Sequence, residues 1–416
     1  MRSRSRNRIR DGPGRRDAVG GVPDCAPTRM VSTVAPGRTR LARTRDAGRN
    51  QAKSRTSSRP PCMTSPRHLP NIDIMRGMAV LAVVAHHVHA YTGFSVPILG
   101  TFGGLLGVQL FFVLSGYLIT ESASKHSTSV YWLHRVLRIF PAYWVAYLLV
   151  GVLTGRLIPD RIIESPFPFF LNLVNLQQLH AVALFEFDVI SVSWTLTVEV
   201  IWYALAPLLL LAGLRRPWHL LAGLMLLSVA WTWMASHRHL DELYRPTLEQ
   251  LSRPWSPSQL GVLIGAAFPA QLIYFGLGSV AYHLRDRLTA VSAWIPGLVW
   301  LVCLGAMPFY FNHLQMATQV VGLGVAALFV WMMRIPALKQ PFLAWTGQIS
   351  YSIYLLHFPL IVYGFHKLGR HGPVHLLVTM AVIYLCAYAL YRWVERPGMQ
   401  LARRWTRPQA QVSTGT

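Results

Sequence analysis

Apolar residues along this chain gather in runs long enough to cross a bilayer, which takes roughly 17–25 residues as a helix. Ten such runs lie at about 72–92, 102–120, 140–154, 190–213, 217–236, 258–283, 291–309, 314–333, 346–366 and 373–394. The third is short unless its helix extends at either end. A further run, Pro166 to Leu179, is short and rich in Asn, Gln and Pro. It reads as a re-entrant or interfacial segment. Charge placement tests the count. With ten spans and the N-terminus inside, Lys125, Arg135, Arg138, Arg215, Arg216, Arg285, Arg287, Arg334, Lys339, Arg396, Arg403 and Arg404 fall on the cytoplasmic side. Opposite loops either lack basic residues or dilute them with acids, which is the positive-inside pattern. Counting Pro166–Leu179 as a span would move Arg215 and Arg216 outside. The fold class expected is therefore all-α: a polytopic membrane protein of about ten transmembrane helices, both termini cytoplasmic.

Composition agrees. Hydrophobic residues make up 53% and charged residues 13% of 416, too little polar surface for a water-soluble globule of this size. Four cysteines without metal-ligand spacing exclude a disulfide scaffold. The net charge of +23 is concentrated: residues 1–62 hold 16 Lys and Arg against 4 Asp and Glu, a net +12. That stretch is rich in Arg, Pro, Gly and Ser and has no apolar periodicity, which predicts disorder. The division expected is a basic extension over 1–67, with Met63 an alternative start, a membrane domain over 68–400 and a short basic tail over 401–416. A tail that binds nucleic acid or anionic lipid is a minor alternative, and no nucleic-acid partner is expected.

Ionisable groups inside spans are costly and mark a functional site or a paired contact. On the first run Arg76 precedes His87 by eleven residues, within roughly 20° of three full turns, so one helix face carries both about 16 Å apart. His86 and His89 lie on another face and lack a third ligand in the same motif, so no metal is expected. Glu199, after Trp194-Thr195-Leu196-Thr197-Val198, should lie at a depth comparable with His87. There it either ionises beside an imidazole and orients it or makes a structural helix–helix bond. Arg135 and Arg138, at i and i+3, suit either a grip on phosphate or a basic anchor at lipid headgroups. His357 lies mid-membrane, three residues after Tyr354, with Pro359 expected to interrupt the helix; packing and ligand roles are equally open. The chain shows no Gly-rich phosphate loop and no Ser-elbow.

Asn71-Ile72-Asp73-Ile74-Met75-Arg76-Gly77, with His87 beyond it, resembles the start of the acyltransferase-3 family, bacterial membrane acyltransferases that include carbohydrate O-acetylases. The resemblance continues through Gly107-Val108-Gln109-Leu110-Phe111-Phe112-Val113-Leu114-Ser115-Gly116-Tyr117, Arg135/Arg138 with Pro141, Trp194 with Glu199 and Tyr203, Ser350-Tyr351-Ser352 with His357, and Glu395-Arg396-Pro397. It implies a multi-pass enzyme of the bacterial inner membrane that passes an acyl group from cytoplasmic acyl-CoA, acetyl-CoA first, to an acceptor hydroxyl. Carried over, His87 is the general base or an acyl carrier, with Arg76 and Glu199 completing the catalytic set. Arg135 and Arg138 hold the donor's phosphates, and Trp194, Tyr351 and His357 contact substrate. The adjacent His86 leaves open which histidine acts, though spacing favours His87. The expected acceptor is a carbohydrate or glycolipid of the envelope. Relatives act on macrolides, lipid-linked oligosaccharides and peptidoglycan. The competing classes are a transporter of lipid-linked sugar or acyl donor without chemistry, and a non-catalytic membrane sensor.

Overall fold

The computed structural model describes residues 71–213, 217–288, 290–310, 317–367 and 372–406, and among these no strand occurs. The helices are α1 (Ile72–Thr92), α2 (Leu99–Lys125), α3 (Thr128–Leu153), α4 (Pro159–Glu164), α5 (Pro166–Leu173), α6 (Trp194–Gly213), α7 (Pro217–Ser236), α8 (Asp241–Leu248) and α9 (Pro257–Gly265). They continue as α10 (Phe268–His283), α11 (Arg285–Leu288), α12 (Trp294–Tyr310), α13 (Ala317–Arg334), α14 (Pro341–Gln348), α15 (Ser350–Ile361), α16 (Pro373–Leu390) and α17 (Arg396–Trp405). Among the described residues, each apolar run of the sequence falls mainly on helix. Among the described residues, five segments are long and apolar enough to cross a membrane: Leu99–Lys125, Thr128–Leu153, Pro257–His283, Ala317–Arg334 and Pro373–Trp405. Large apolar side chains such as Leu153, Leu226, Val302, Phe309 and Leu385 stand exposed on the outside, as surfaces that meet lipid do. The short run Pro166–Leu179 forms α5 and a 3₁₀ turn, Gln177–Leu179, neither of spanning length.

Local chemistry sets the boundaries. Gly93 ends α1 in the left-handed conformation (φ 76°), its N–H bonded to the His89 carbonyl. A capping box of Ser256 and Gln259 opens α9. The third helix starts at Thr128, about three turns before its apolar run, which puts Arg135 and Arg138 inside a continuous helix. Pro359 does not interrupt its helix as expected. The α15 helix carries it internally, and the chain widens into a π-helical turn, Val362–Lys367, just beyond. A π turn takes up the register change that follows a missing N–H. Arg215 and Arg216, the 1–67 extension and residues 407–416 of the tail lie outside the described residues.

Close backbone approach brings the central helices together. In a bundle surrounded by lipid, small residues at the crossings let dispersion act over the backbone itself. A Cβ on Gly116 of α2 would meet the Phe275 carbonyl of α10, and one on Gly278 would meet the Val113 carbonyl in return. Likewise Gly347 of α14 lies against the Asp73 carbonyl of α1. The atoms in the way are main chain, so they cannot swing aside. Gly347→Ala is expected to destabilise the fold by roughly 1–3 kcal/mol or more, read as a lower thermal midpoint in detergent, whereas Gly223→Ala, where the space is open, leaves it unchanged. Two apolar cores flank α1. One joins it to α2, α6, α10 and α13 through Met75, Phe112, Trp202, Phe275 and Phe329. The other joins its C-terminal half to α3, α15 and α16 through Val84, Tyr143, Tyr147, Leu355 and Ala387.

Candidate active site

Between α1, α2, α3, α6 and α15 lies a narrow cavity of about 90 Å³. Arg76, Arg138, Ser115, Glu199, Tyr203 and Tyr351 are among its lining residues. Five helices thus bring to one place residues more than a hundred positions apart. The Glu199 carboxylate accepts hydrogen bonds from Ser115 Oγ (2.9 Å) and from Tyr203 Oη (2.8 Å), one turn along its own helix. Tyr351 Oη donates to the Ile139 carbonyl at 3.0 Å. Arg76 lies 3.9 Å from Asp73. A second carboxylate, Glu395, is 2% exposed, accepts from Ser352 Oγ at 2.7 Å and interacts electrostatically with Arg138 and Arg76. Two guanidinium groups held among carboxylates and hydroxyls, with Glu395 buried, make a preorganised place for an anionic group.

The sequence pair Arg135/Arg138 divides. Arg138 lines the cavity, while Arg135 stands behind it, donating to Ser122 Oγ (3.0 Å) and lying over the rings of Tyr131 and Tyr203 at 5.7 and 5.6 Å. Stacking of this kind fixes the guanidinium plane. The expected substrate contacts divide too. Tyr351 lines the cavity, whereas Trp194 lines a separate space of about 620 Å³ with Trp231, Gln109 and Gln319. His357 is fully buried and reaches another histidine instead.

That other histidine is His87, whose Nδ1 lies 3.1 Å from His357 Nε2. The far nitrogen of His357, Nδ1, lies 2.8 Å from the Tyr354 carbonyl and 3.2 Å from that of Ile353. Carbonyls only accept, so His357 Nδ1 carries a proton and, in the neutral ring, Nε2 holds a lone pair. His87 Nδ1 must then donate. In the neutral ring, His87 Nε2 then bears the open lone pair. This assignment follows from partners, as tautomers must. Phe358 packs edge-on against His87 at 5.0 Å. The neighbouring His86 is tied elsewhere, its Nδ1 2.9 Å from the Gly100 carbonyl. Among the described residues no group of three His, Cys, Asp or Glu side chains converges.

His87 and Glu199 are not hydrogen-bond partners: each is satisfied by other groups, two hydroxyls for the acid and an imidazole for the base. Nor does His87 line the narrow cavity. Tyr354 bridges them. Its ring is part of the cavity wall, its hydroxyl meets Thr195 Oγ1 (2.7 Å) and donates to the Val192 carbonyl (2.8 Å), and its own carbonyl holds His357. Sequence reasoning missed Glu395 as a buried acid beside the arginines and Ser115 as a donor to Glu199. The i+4 spacing of Glu199 and Tyr203 was the available signal for the second donor.

Comparison with known proteins places these features in a family. Residues 69–392 match the family described as the acyltransferase domain. Nodulation protein 10 of Rhizobium leguminosarum bv. viciae is 27% identical over 370 residues, covering 80% of this chain and 94% of that protein. The peptidoglycan O-acetyltransferase OatA of Listeria monocytogenes is 25% identical over 385 residues, covering 80% of this chain and 56% of that one. This chain therefore spans little more than half of the longer relative. No solved structure matches the chain. The match extends over most of the chain and takes in both arginines of the cavity and both histidines of the dyad, and on that ground the chain belongs to the acyltransferase-3 family.

Proposed function

We propose that this protein is a membrane O-acyltransferase that moves an acyl group, acetyl above all, from cytoplasmic acyl-CoA to a hydroxyl of an envelope or exported carbohydrate, in the bacterial inner membrane. The observation that carries the reading is the hydrogen-bond chain from the Tyr354 carbonyl through His357 to His87, which orients His87 so that Nε2 is the basic nitrogen of its neutral ring. A histidine so held suits general-base catalysis near neutral pH. The acceptor hydroxyl gives its proton to His87 Nε2 as its oxygen attacks the thioester carbonyl. The C–S bond then breaks, an O–C bond having formed, and the departing thiolate takes the proton from His87. Arg76 and Arg138 hold the donor's anionic part, Glu199 keeps Tyr203 and Ser115 in place around it, and Tyr351 shapes the wall. His357 is a positioning residue acting through His87. No metal is needed for these steps.

The donor half of the proposal has its own test. Arg138→Ala removes a charge-assisted contact of roughly 1.5–3 kcal/mol, so the KM for acetyl-CoA should rise about tenfold to a hundredfold while the acceptor KM stays within about twofold. Arg135→Ala should act less, since Arg135 stands behind the lining. Equal rises in both KM values, or none, would count against a donor site at these arginines.

A further inference from the structure

Away from the His87–His357 pair and the cavity of Arg76 and Arg138, a cleft of about 450 Å³ opens between α4, the start of α5, the π-helical turn Ala183–Phe187 and the segment after α8. We propose that this cleft binds a neutral, polyhydroxylated ligand and docks the remote sugar units of the acceptor. The proposal rests on the reading of that acceptor as a carbohydrate.

Charge accounting excludes an anionic ligand. The cleft's one arginine, Arg161, is paired with Glu186, and the other Glu186 oxygen accepts from Ser252 N and Oγ, both at 2.7 Å. Glu164, exposed at the rim, adds a negative charge. Among the lining residues no cation is left over for a phosphate. What remains suits hydroxyl groups, which both donate and accept. His180 lines the cleft with its Nδ1 buried and without a hydrogen-bond partner, and burial lowers its pKa, keeping the ring neutral. The Gln250 side chain is hydrogen-bonded to His180, and its Nε2 donates to the Pro246 carbonyl at 3.1 Å. Phe167, 59% exposed, meets the His180 ring edge-on at 6.0 Å and presents an apolar face. Aromatic surface flanked by a few placed polar groups is the general form of a specific small-molecule site, and here the polar groups carry no spare positive charge.

The cleft is braced to the wall of the active cavity. Gln177 Nε2 donates to the Ser193 carbonyl and Oγ, both at 2.8 Å, and Gln178 N donates to Thr197 Oγ1 at 3.3 Å. These bonds join the connecting segment to the first turn of α6, whose Thr195 and Glu199 line the cavity. Tyr147 Oη donates to the Phe187 carbonyl at 2.8 Å, and Tyr147 shares a core with Val84 and Val88, which flank His87 on α1. A glycan seated here is therefore held at the histidine end of the bundle, and binding energy from remote units is what enzymes use to position a reacting group.

The test is titration calorimetry of the full-length protein in nanodiscs with chitotetraose, cellotetraose and maltotetraose, and with a sulfated tetrasaccharide as a charged control. At least one neutral glycan should bind. Phe167→Ala and Gln250→Ala should each weaken it about tenfold or more, Phe167→Trp should retain it, and the sulfated sugar should bind more weakly. Failure of all three neutral glycans to bind, indifference to both alanine variants, or tighter binding of the sulfated sugar overturns the proposal. Label transfer from acetyl-CoA, followed in the same preparations, separates the two readings. Binding lost in the variants without any acyl transfer in wild type keeps the cleft and sinks the enzyme. Acyl transfer with an acceptor KM unmoved by the variants keeps the enzyme and sinks the cleft.

Discussion

His87→Ala is expected to insert and fold like the wild type yet to lose acyl transfer by about 10²–10⁴-fold, the range that a positioned general base contributes. The side chain is only partly buried, and its replacement leaves the α1 backbone and the neighbouring apolar contacts of Val84 and Val88 in place. What disappears is a basic nitrogen whose ring is fixed on its other side by the hydrogen bond to His357. The measurement is CoA release from acetyl-CoA with acceptor present, beside a thermal midpoint to establish folding. Transfer at the wild-type rate would remove His87 from the reaction and return attention to His86, which points its Nδ1 at Gly100.

The second large effect belongs to His357. His357→Phe fills the ring's space but offers no acceptor to His87 Nδ1, so His87 is free to turn and to take the wrong tautomer. In catalytic triads a mis-set tautomer costs up to about 10⁴ in kcat. A fall of roughly 10²-fold or more in kcat with little change in KM is expected here. His357→Gln places an amide oxygen where Nε2 stood and should recover part of the loss. A purely structural role predicts something else: both variants lowering the thermal midpoint alike, with activity following folded fraction and no rescue.

Much of the fold was legible because a membrane span is a local property. The runs at 72–92 and 217–236 coincide with α1 and α7, one of them stopped by Gly93 in a conformation that glycine adopts readily. The start of α3 was not legible from hydropathy, since Tyr131, Trp132, His134 and Arg135 mix aromatic and basic side chains within a helix that continues into the apolar run. At the site, spacing on one helix was readable and pairing between helices was not. Arg76 and His87 fall on a common face of α1 by arithmetic alone. That His87 meets His357, 270 positions away, depends on how α1 crosses α15, and nothing local encodes it. The expected His87–Glu199 pair gave way for the same reason: matched depth on two helices does not ensure contact when Ser115 and Tyr203 reach the carboxylate first.

The central claim is acyl transfer from a CoA thioester, and the most direct measurement is label transfer from radiolabelled acetyl-CoA in membranes expressing the wild-type chain. The account predicts label in a glycan fraction, released by mild alkali as an ester would be, and identification of that fraction names the acceptor. Well-expressed, correctly inserted protein that transfers no label from acetyl-CoA or from longer acyl-CoAs would contradict it, and uptake of unmodified glycan by the same membranes would then favour transport without chemistry.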